Sequence, residues 1–270
     1  MSAITIIWNA YGGTLQPFKS KGCKVKMSYN RMAQVYDRLM ESAPYDHWSE
    51  FTQRMVELHH PGVTQVLDLG CGTGEITLKL KDKGYKMTGV DLSEEMLAMA
   101  QQKAPVGISW LCQDMTDLKG LRGFDCVISY CDVFNYLTSE EHVQKAFRSA
   151  YEALEPSGLF LFDVHSIDHI YNHMYGQTFA EVYDDLSYIW FCDPGEREGQ
   201  VVHDLTFFLE SSVGAYERFD EKHVQQVYPI EKLKQWILQT GFDRVQVYSD
   251  FSTEPSEDGD RLFFVCKKES

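Results

Sequence analysis

Three glycines at alternate positions, Gly70, Gly72 and Gly74, separate the apolar run Val66 to Leu69 from a helix-like stretch that opens at Glu75. A buried strand that turns this tightly into a helix puts glycine wherever a side chain would keep a ligand off the backbone. A second apolar run, Met87-Thr-Gly-Val90, ends in Asp91, where the second strand of a βαβ unit delivers a carboxylate to a ribose. Such a corner can seat a dinucleotide or another charged nucleoside. A dinucleotide fingerprint runs G-x-G-x-x-G and offers a helix N-terminus to a pyrophosphate. Here the third glycine comes one residue early, and Glu75 at the helix start would repel that group. Asp68, just before the turn, adds negative charge that suits an ammonium and a sulfonium instead.

The segment Asp68-Leu-Gly-Cys-Gly-Thr-Gly74 resembles the D-x-G-x-G-x-G first motif of the class I S-adenosylmethionine (SAM)-dependent methyltransferases. Asp91-Leu-Ser-Glu-Glu-Met96 is similar to their second motif, and Gln113-Asp114-Met115 to their adenine-side acidic motif. The three stand in order and at matching spacing, within a resemblance that runs from about Tyr29 to Lys267. It implies SAM as cofactor, S-adenosylhomocysteine as product, and cofactor contacts from Asp68, Gly70, Cys71, Gly72, Gly74, Asp91, Leu92, Met96, Asp114, Met115 and Tyr130. In that scheme Asp91 takes the ribose, Asp114 the adenine amino group, and Leu92 and Met115 sandwich the ring. Tyr29-x6-Tyr36-Asp37 looks like the N-terminal helix that folds over the cofactor in small bacterial members. Tyr36 is expected against the sulfonium or the cofactor's carboxylate, and Tyr29 beside the substrate pocket.

The elements that must position these residues follow from hydrophobic spacing. Tyr29, Met32, Val35, Tyr36, Leu39 and Met40 recur at helical intervals from Ser28 until Pro44, and a second helix, about Tyr45 to Leu58, carries Trp48, Phe51, Met55 and Leu58 on one face. Beyond Val66, apolar strands alternate with helices: strands at Ile108 to Cys112, Phe124 to Tyr130 and Leu159 to Val164, and helices capped by Ser93 and Ser139. Pro156-Ser-Gly158 reads as a turn. This predicts an α/β fold, Rossmann-like, with a mainly parallel sheet, seven-stranded by the resemblance, and helices on both faces. Gly70, Asp91, Asp114, Tyr130 and Val164 all fall at carboxyl ends of strands, where ligands bind in such sheets. After His165 four strands follow in a row, at 178–182, 186–192, 200–210 and 214–227, which predicts hairpin pairing. Residues 166–227 are therefore expected to form an antiparallel β cap inserted after the fifth strand. The SAM-binding domain then comprises 28–165 and 228–270. A helix opened by Pro229 and a terminal hairpin complete it.

Methyl transfer asks little of the protein, because aligning a nucleophile with the methyl–sulfur bond supplies most of the acceleration. A base is needed only where the acceptor must lose a proton. His165 is the candidate for that role. Cys131, Asp132, Asn135 and Tyr136 are expected to line the substrate pocket; Cys131 is not expected as a nucleophile, since no covalent intermediate is required. Asn135-Tyr136 lacks the N-P-P-Y pattern of amide-nitrogen or adenine methylases. The net charge of −15 opposes nucleic acid and anionic lipid, so a small-molecule O or N acceptor is expected ahead of RNA or protein. A non-catalytic SAM-binding protein and, last, an NAD-dependent oxidoreductase are the alternatives. His203, Asp204, Asp220, Glu221 and His223 read as polar positions on exposed strands rather than a metal site. The seven cysteines contain no C-x-x-C pair and fit a reducing cytoplasm, with Cys112, Cys126 and Cys266 as small core residues. The acidic run Asp250 to Asp260 is expected to be a solvated hairpin loop. Residues 1–27 carry Lys19, Lys21, Lys24 and Lys26 and no acid; they read as a poorly ordered extension, with Met27 as an alternative start.

Overall fold

The computed structural model describes residues 35–37, 39–40, 43–212 and 214–269. Tyr29, the extension 1–27 and the opening of the first expected helix lie outside the described residues. A seven-stranded sheet is built from β1 (Gln65–Leu69), β2 (Lys86–Asp91), β3 (Ser109–Cys112), β4 (Phe124–Ser129), β5 (Leu154–His165), β10 (Arg244–Ser249) and β11 (Arg261–Lys267). Its order is β10-β11-β5-β4-β1-β2-β3. The pairs β1–β2, β1–β4, β2–β3 and β4–β5 are parallel, and β11 runs antiparallel to both neighbours. Strand order reverses between β1 and β4, so their carboxyl ends, Leu69 and Ser129, open a crevice.

Helices α1 (Tyr45–His59) and α2 (Glu75–Asp82) cover one face, and α4 (Glu140–Ala153) and α5 (Ile230–Thr240) the other; α3 (Glu94–Lys103) links β2 to β3. Ser93 and Ser139 cap α3 and α4, each hydroxyl oxygen accepting from a backbone N–H three residues on. Parallel strands buried on both sides read as continuous apolar runs, which is why Val66, Leu67 and Leu69 are all fully buried. Asp68 interrupts that run and is itself buried.

The cap is a separate four-stranded antiparallel sheet, β6 (Gln177–Val182), β7 (Leu186–Pro194), β8 (Gln200–Ser212) and β9 (Ala215–Gln226), in sequential order. Its inner side chains, among them Tyr188, Trp190, Leu205 and Phe207, join the same hydrophobic cluster as Trp48, Phe51 and Leu161. Four expectations need correction. Pro156-Ser-Gly158 does not precede β5 as a turn: β5 begins at Leu154 and absorbs the three residues as a bulge against β4, with Ser157 at φ 67°. The link 166–176, read only as the start of the cap, holds a helical turn, Ile167–His169, that passes into a π-helical one, Ile170–Met174. Cys112 lies on edge strand β3 and is exposed, whereas Cys126 and Cys266 are fully buried. His203 and His223 face inward and are buried, because their register places them on the cap's inner face.

Candidate functional site

At the carboxyl end of β1 the three glycines have left-handed backbones, φ 75°, 53° and 84°. They serve different ends. A Cβ on Gly70 would stand 2.6 Å from Val133 Cγ1, and one on Gly74 2.5 Å from Trp110 Cη2, so both are required by packing inside the protein. A Cβ on Gly72 would meet nothing within 4 Å. Gly72 alone borders open space, with room for a ligand to approach its backbone. Asp91 faces this loop: Oδ2 accepts from the Gly72 N–H at 2.9 Å and Oδ1 from the Ser93 N–H at 2.8 Å. Burial raises its carboxyl above the ordinary range, and the N–H groups of Ser93, Gly72 and Leu92 oppose the rise. Asp68 accepts from the Thr77 hydroxyl at 2.5 Å and is pushed up to about 7, by burial first and by the charge of Asp91 as well, against the Thr77 bond. Two desolvated carboxyls beside an accessible backbone edge fit a ligand that brings its own positive charge.

Around this corner Leu92 is half exposed, and Met96 and Met115 are half-buried against the two core clusters. Cys71 is half-buried, with its Sγ close to the position a Cβ on Gly89 would take. Asp114 is exposed, and its Oδ1 closes a local turn by accepting from both the N–H and the hydroxyl of Thr116 at 2.8 Å. Above the loop, Thr73 donates to Asp37 at 2.6 Å, and Lys103 bridges Asp37 and Glu75 at 2.7 Å each. These bonds fasten the segment bearing Tyr36 to the glycine turn. Tyr36 is buried, its phenol raised by burial and hydrogen-bonded to that of Tyr45.

A second group of polar residues gathers at the ends of β4 and β5. Cys131 and Asp132 follow β4 with φ 60° and 54°, a conformation non-glycine residues hold only under constraint. The constraint is a buried network. The Asp132 N–H donates to Asp163 Oδ1 at 2.7 Å, and Arg261 spans both acids, Nη1 to Asp163 Oδ2 at 2.8 Å and Nη2 to Asp132 Oδ1 at 2.9 Å. Trp48 Nε1 donates to Asp163 Oδ2 at 2.7 Å, and the Arg261 guanidinium lies 5.4 Å from the Trp48 ring. From the cap, Gln225 Nε2 donates to Asp132 Oδ2 at 2.7 Å, while its Oε1 lies 3.2 Å from Nε2 of His203, whose Nδ1 accepts from Trp190. Burial pushes Asp132 up to about 6 against the pull of Arg261, and pushes His203 down to about 3.

His165 is fully buried in this network. Its Nε2 lies 3.6 Å from Asp132 Oδ1, its backbone N–H donates to Asn135 Oδ1 at 3.0 Å, and its ring stacks on His169 at 4.8 Å. Asn135 reaches the cap through a bond from Nδ2 to the Gln226 carbonyl at 3.2 Å. Tyr136 packs edge-on against His223. Tyr130 is buried, its hydroxyl 2.9 Å from that of Thr52 on α1. Thus Cys131, Asp132, Asn135 and His165 come together as one cluster. The sequence reading missed Trp48, Asp163, Arg261 and Gln225 as its other members. One signal was present: Asp163 stands inside an apolar strand, and a buried carboxylate demands a partner. The acidic run 250–260 is more tied down than a solvated loop. Asp250 accepts from the Arg261 N–H at 2.9 Å, Asp260 lies 3.3 Å from His169, and Phe251 packs on Trp48. Among the described residues no three His, Cys, Asp or Glu side chains are placed to hold a metal, and no helix is long and apolar enough to cross a membrane.

Comparison with known proteins meets this geometry. A family model described as a methyltransferase domain matches residues 66–158. A relative from Geobacillus sp. strain WCH70, named "Putative methyltransferase", is 45% identical over 250 residues, covering 90% of this chain and all of that one. A glycine/sarcosine N-methyltransferase of Halorhodospira halochloris is 25% identical over 230 residues, 79% of this chain and 78% of its own. The crystal structure of a SAM-dependent methyltransferase from Clostridium acetobutylicum superposes with a TM-score of 0.79 at 26% identity, over 90% of this chain and 99% of that one. Glycine turn, strand-end carboxylate, strand order and kinship agree: the chain belongs to the class I SAM-dependent methyltransferases, and SAM is its cofactor.

Proposed function

We propose that this enzyme methylates a small-molecule oxygen or nitrogen acceptor that enters between the cap and the carboxyl ends of β4 and β5. The observation that carries the reading is the roofed corner. His165 and Asp132 are fully buried there, and strand β9 of the cap reaches down to Asp132 through Gln225. A corner closed over by a second sheet suits a compact acceptor better than a polymer, and the chain's net charge of −15 further disfavours nucleic acid. The kinship with a glycine/sarcosine N-methyltransferase supports a small acceptor too.

In this reading Gly72, Asp68 and Asp91 hold the cofactor, with Tyr36 above it. Leu92, Asp114 and Met115 lie on the adenine side. When bound, SAM supplies an activated methyl group on a sulfonium. His165 takes the acceptor's proton, and Asp132, steadied by Arg261 and Gln225, keeps the imidazole oriented and opposes its developing charge. The 28–165 and 228–270 segments act as the cofactor domain, and 166–227 as the cap that selects the acceptor.

The test is S-adenosylhomocysteine production across a panel of small amines and hydroxy compounds. For an acceptor so identified, His165→Ala is expected to slow turnover by roughly 10²–10⁴-fold with SAM affinity unchanged. Full activity in that variant removes His165 from the chemistry, and turnover on RNA or protein with none on the panel replaces the acceptor class.

A further inference from the structure

Strand β9 has two faces, and the corner just described uses only one. Gln225 points to Asp132; its neighbour Gln226, on the opposite face by strand alternation, lines a cleft of about 310 Å³ between the β7–β8 turn and the start of α5. Gln226 is 4% exposed. Its amide nitrogen is committed to the carbonyls of Glu198 and Val227, at 2.8 and 2.9 Å, which fixes the amide's orientation. Its Oε1 is then a buried acceptor with no hydrogen-bond partner among the described residues. Such a group ordinarily costs stability unless something donates to it.

The rest of the cleft is amphoteric. Arg197, exposed on the β7–β8 turn, forms no ion pair among the described residues. Lys232 is shared between Glu140 and the face of Trp236. Pro229 begins α5 without a side-chain cap, so the first-turn N–H groups add partial positive charge, while Glu231 in that turn is paired with Lys234. Tyr171 and Tyr228 give the walls aromatic surface. An unpaired guanidinium docks carboxylate or phosphate through two parallel bonds, and an unmet acceptor calls for a hydroxyl or amino donor. A cleft near 300 Å³ is at the lower end of small-molecule sites.

We propose that this cleft is a second ligand site, taking a small anion, carboxylate or phosphate, that also carries a hydroxyl or amino donor. The anionic group pairs with Arg197 and the donor meets Gln226. The site backs onto the methyl-transfer corner through β9, and it stands whether or not the acceptor reading does.

Calorimetric titration of the full chain with L-malate, and separately with inorganic phosphate, decides it. Saturable binding of at least one probe is expected, malate reporting a carboxylate site and phosphate a phosphate site. Arg197→Ala should weaken that binding by about tenfold or more, the worth of a lost charge-assisted bond. Arg197→Lys should restore part of it, and S-adenosylhomocysteine affinity should be unchanged in both variants. Arg197 is exposed, so neither variant threatens the fold. If neither probe saturates, or if Arg197→Ala binds as the parent does, the proposal is wrong.

Discussion

At Asp68 the fold holds a carboxyl where its charge is disfavoured, and the consequence is a pH dependence with a definite sign. An acid raised from 3.8 to about 7 contributes stability below its ordinary pKa and loses that contribution as pH rises through about 7. A cofactor bringing positive charge pulls that pKa back down, so binding releases a proton below pH 7. S-adenosylhomocysteine, through its ammonium, should therefore bind more weakly at about pH 6 than at about pH 8, by up to about tenfold. Titration calorimetry at the two values checks this, and Asp68→Asn should flatten the difference. Asp91 predicts something simpler. Its carboxylate is aimed at the loop by two backbone N–H groups, and Asp91→Ala should weaken SAM binding by about 1–3 kcal/mol through lost charge-assisted bonds. Unchanged affinity would take Asp91 out of the site.

Among the elements, β11 does more than close the sheet. Its first residue, Arg261, pairs in register with His165 and neutralises Asp132 and Asp163, both fully buried. Removing one partner from a buried network leaves the others uncompensated, at a cost of about 3–5 kcal/mol. Arg261→Met should lower unfolding free energy in urea by about that much. The deficit should shrink as pH falls below about 6, where a protonated Asp132 no longer needs a cation. A loss within experimental error would mean that Asp132 is held by the cap alone. The glycine turn shows how far an element can be read from its residues. Alternate glycines before a helix require a tight left-handed turn, and that much was legible. That Gly70 and Gly74 yield to Val133 and Trp110 while only Gly72 borders open space depended on side chains brought in from elsewhere in the chain.

Across the whole molecule, cap and core are one packed body. Tyr188, Trp190 and Phe207 of the cap share a hydrophobic cluster with Trp48, Phe51 and Leu161, and the Gln225–Asp132 bond crosses the same boundary. Burial shared across the boundary gives neither sheet a complete core alone. Thermal unfolding should accordingly be a single transition, with calorimetric and van't Hoff enthalpies in agreement. Two resolved transitions would show that the cap folds independently.

What the sequence determined by itself was whatever rests on neighbours along the chain. The strand–glycine–helix corner, the carboxylate ending β2, the serine caps and the run of hairpins all carry their own local signals. The family followed from three such motifs in order. The buried network was decided only in three dimensions: Trp48, Asp132, Asp163, Gln225 and Arg261 come from α1, the end of β4, β5, β9 and β11. No spacing announces such a meeting, because an ion pair between distant strands is set by sheet order and register. Those in turn depend on which apolar faces bury one another.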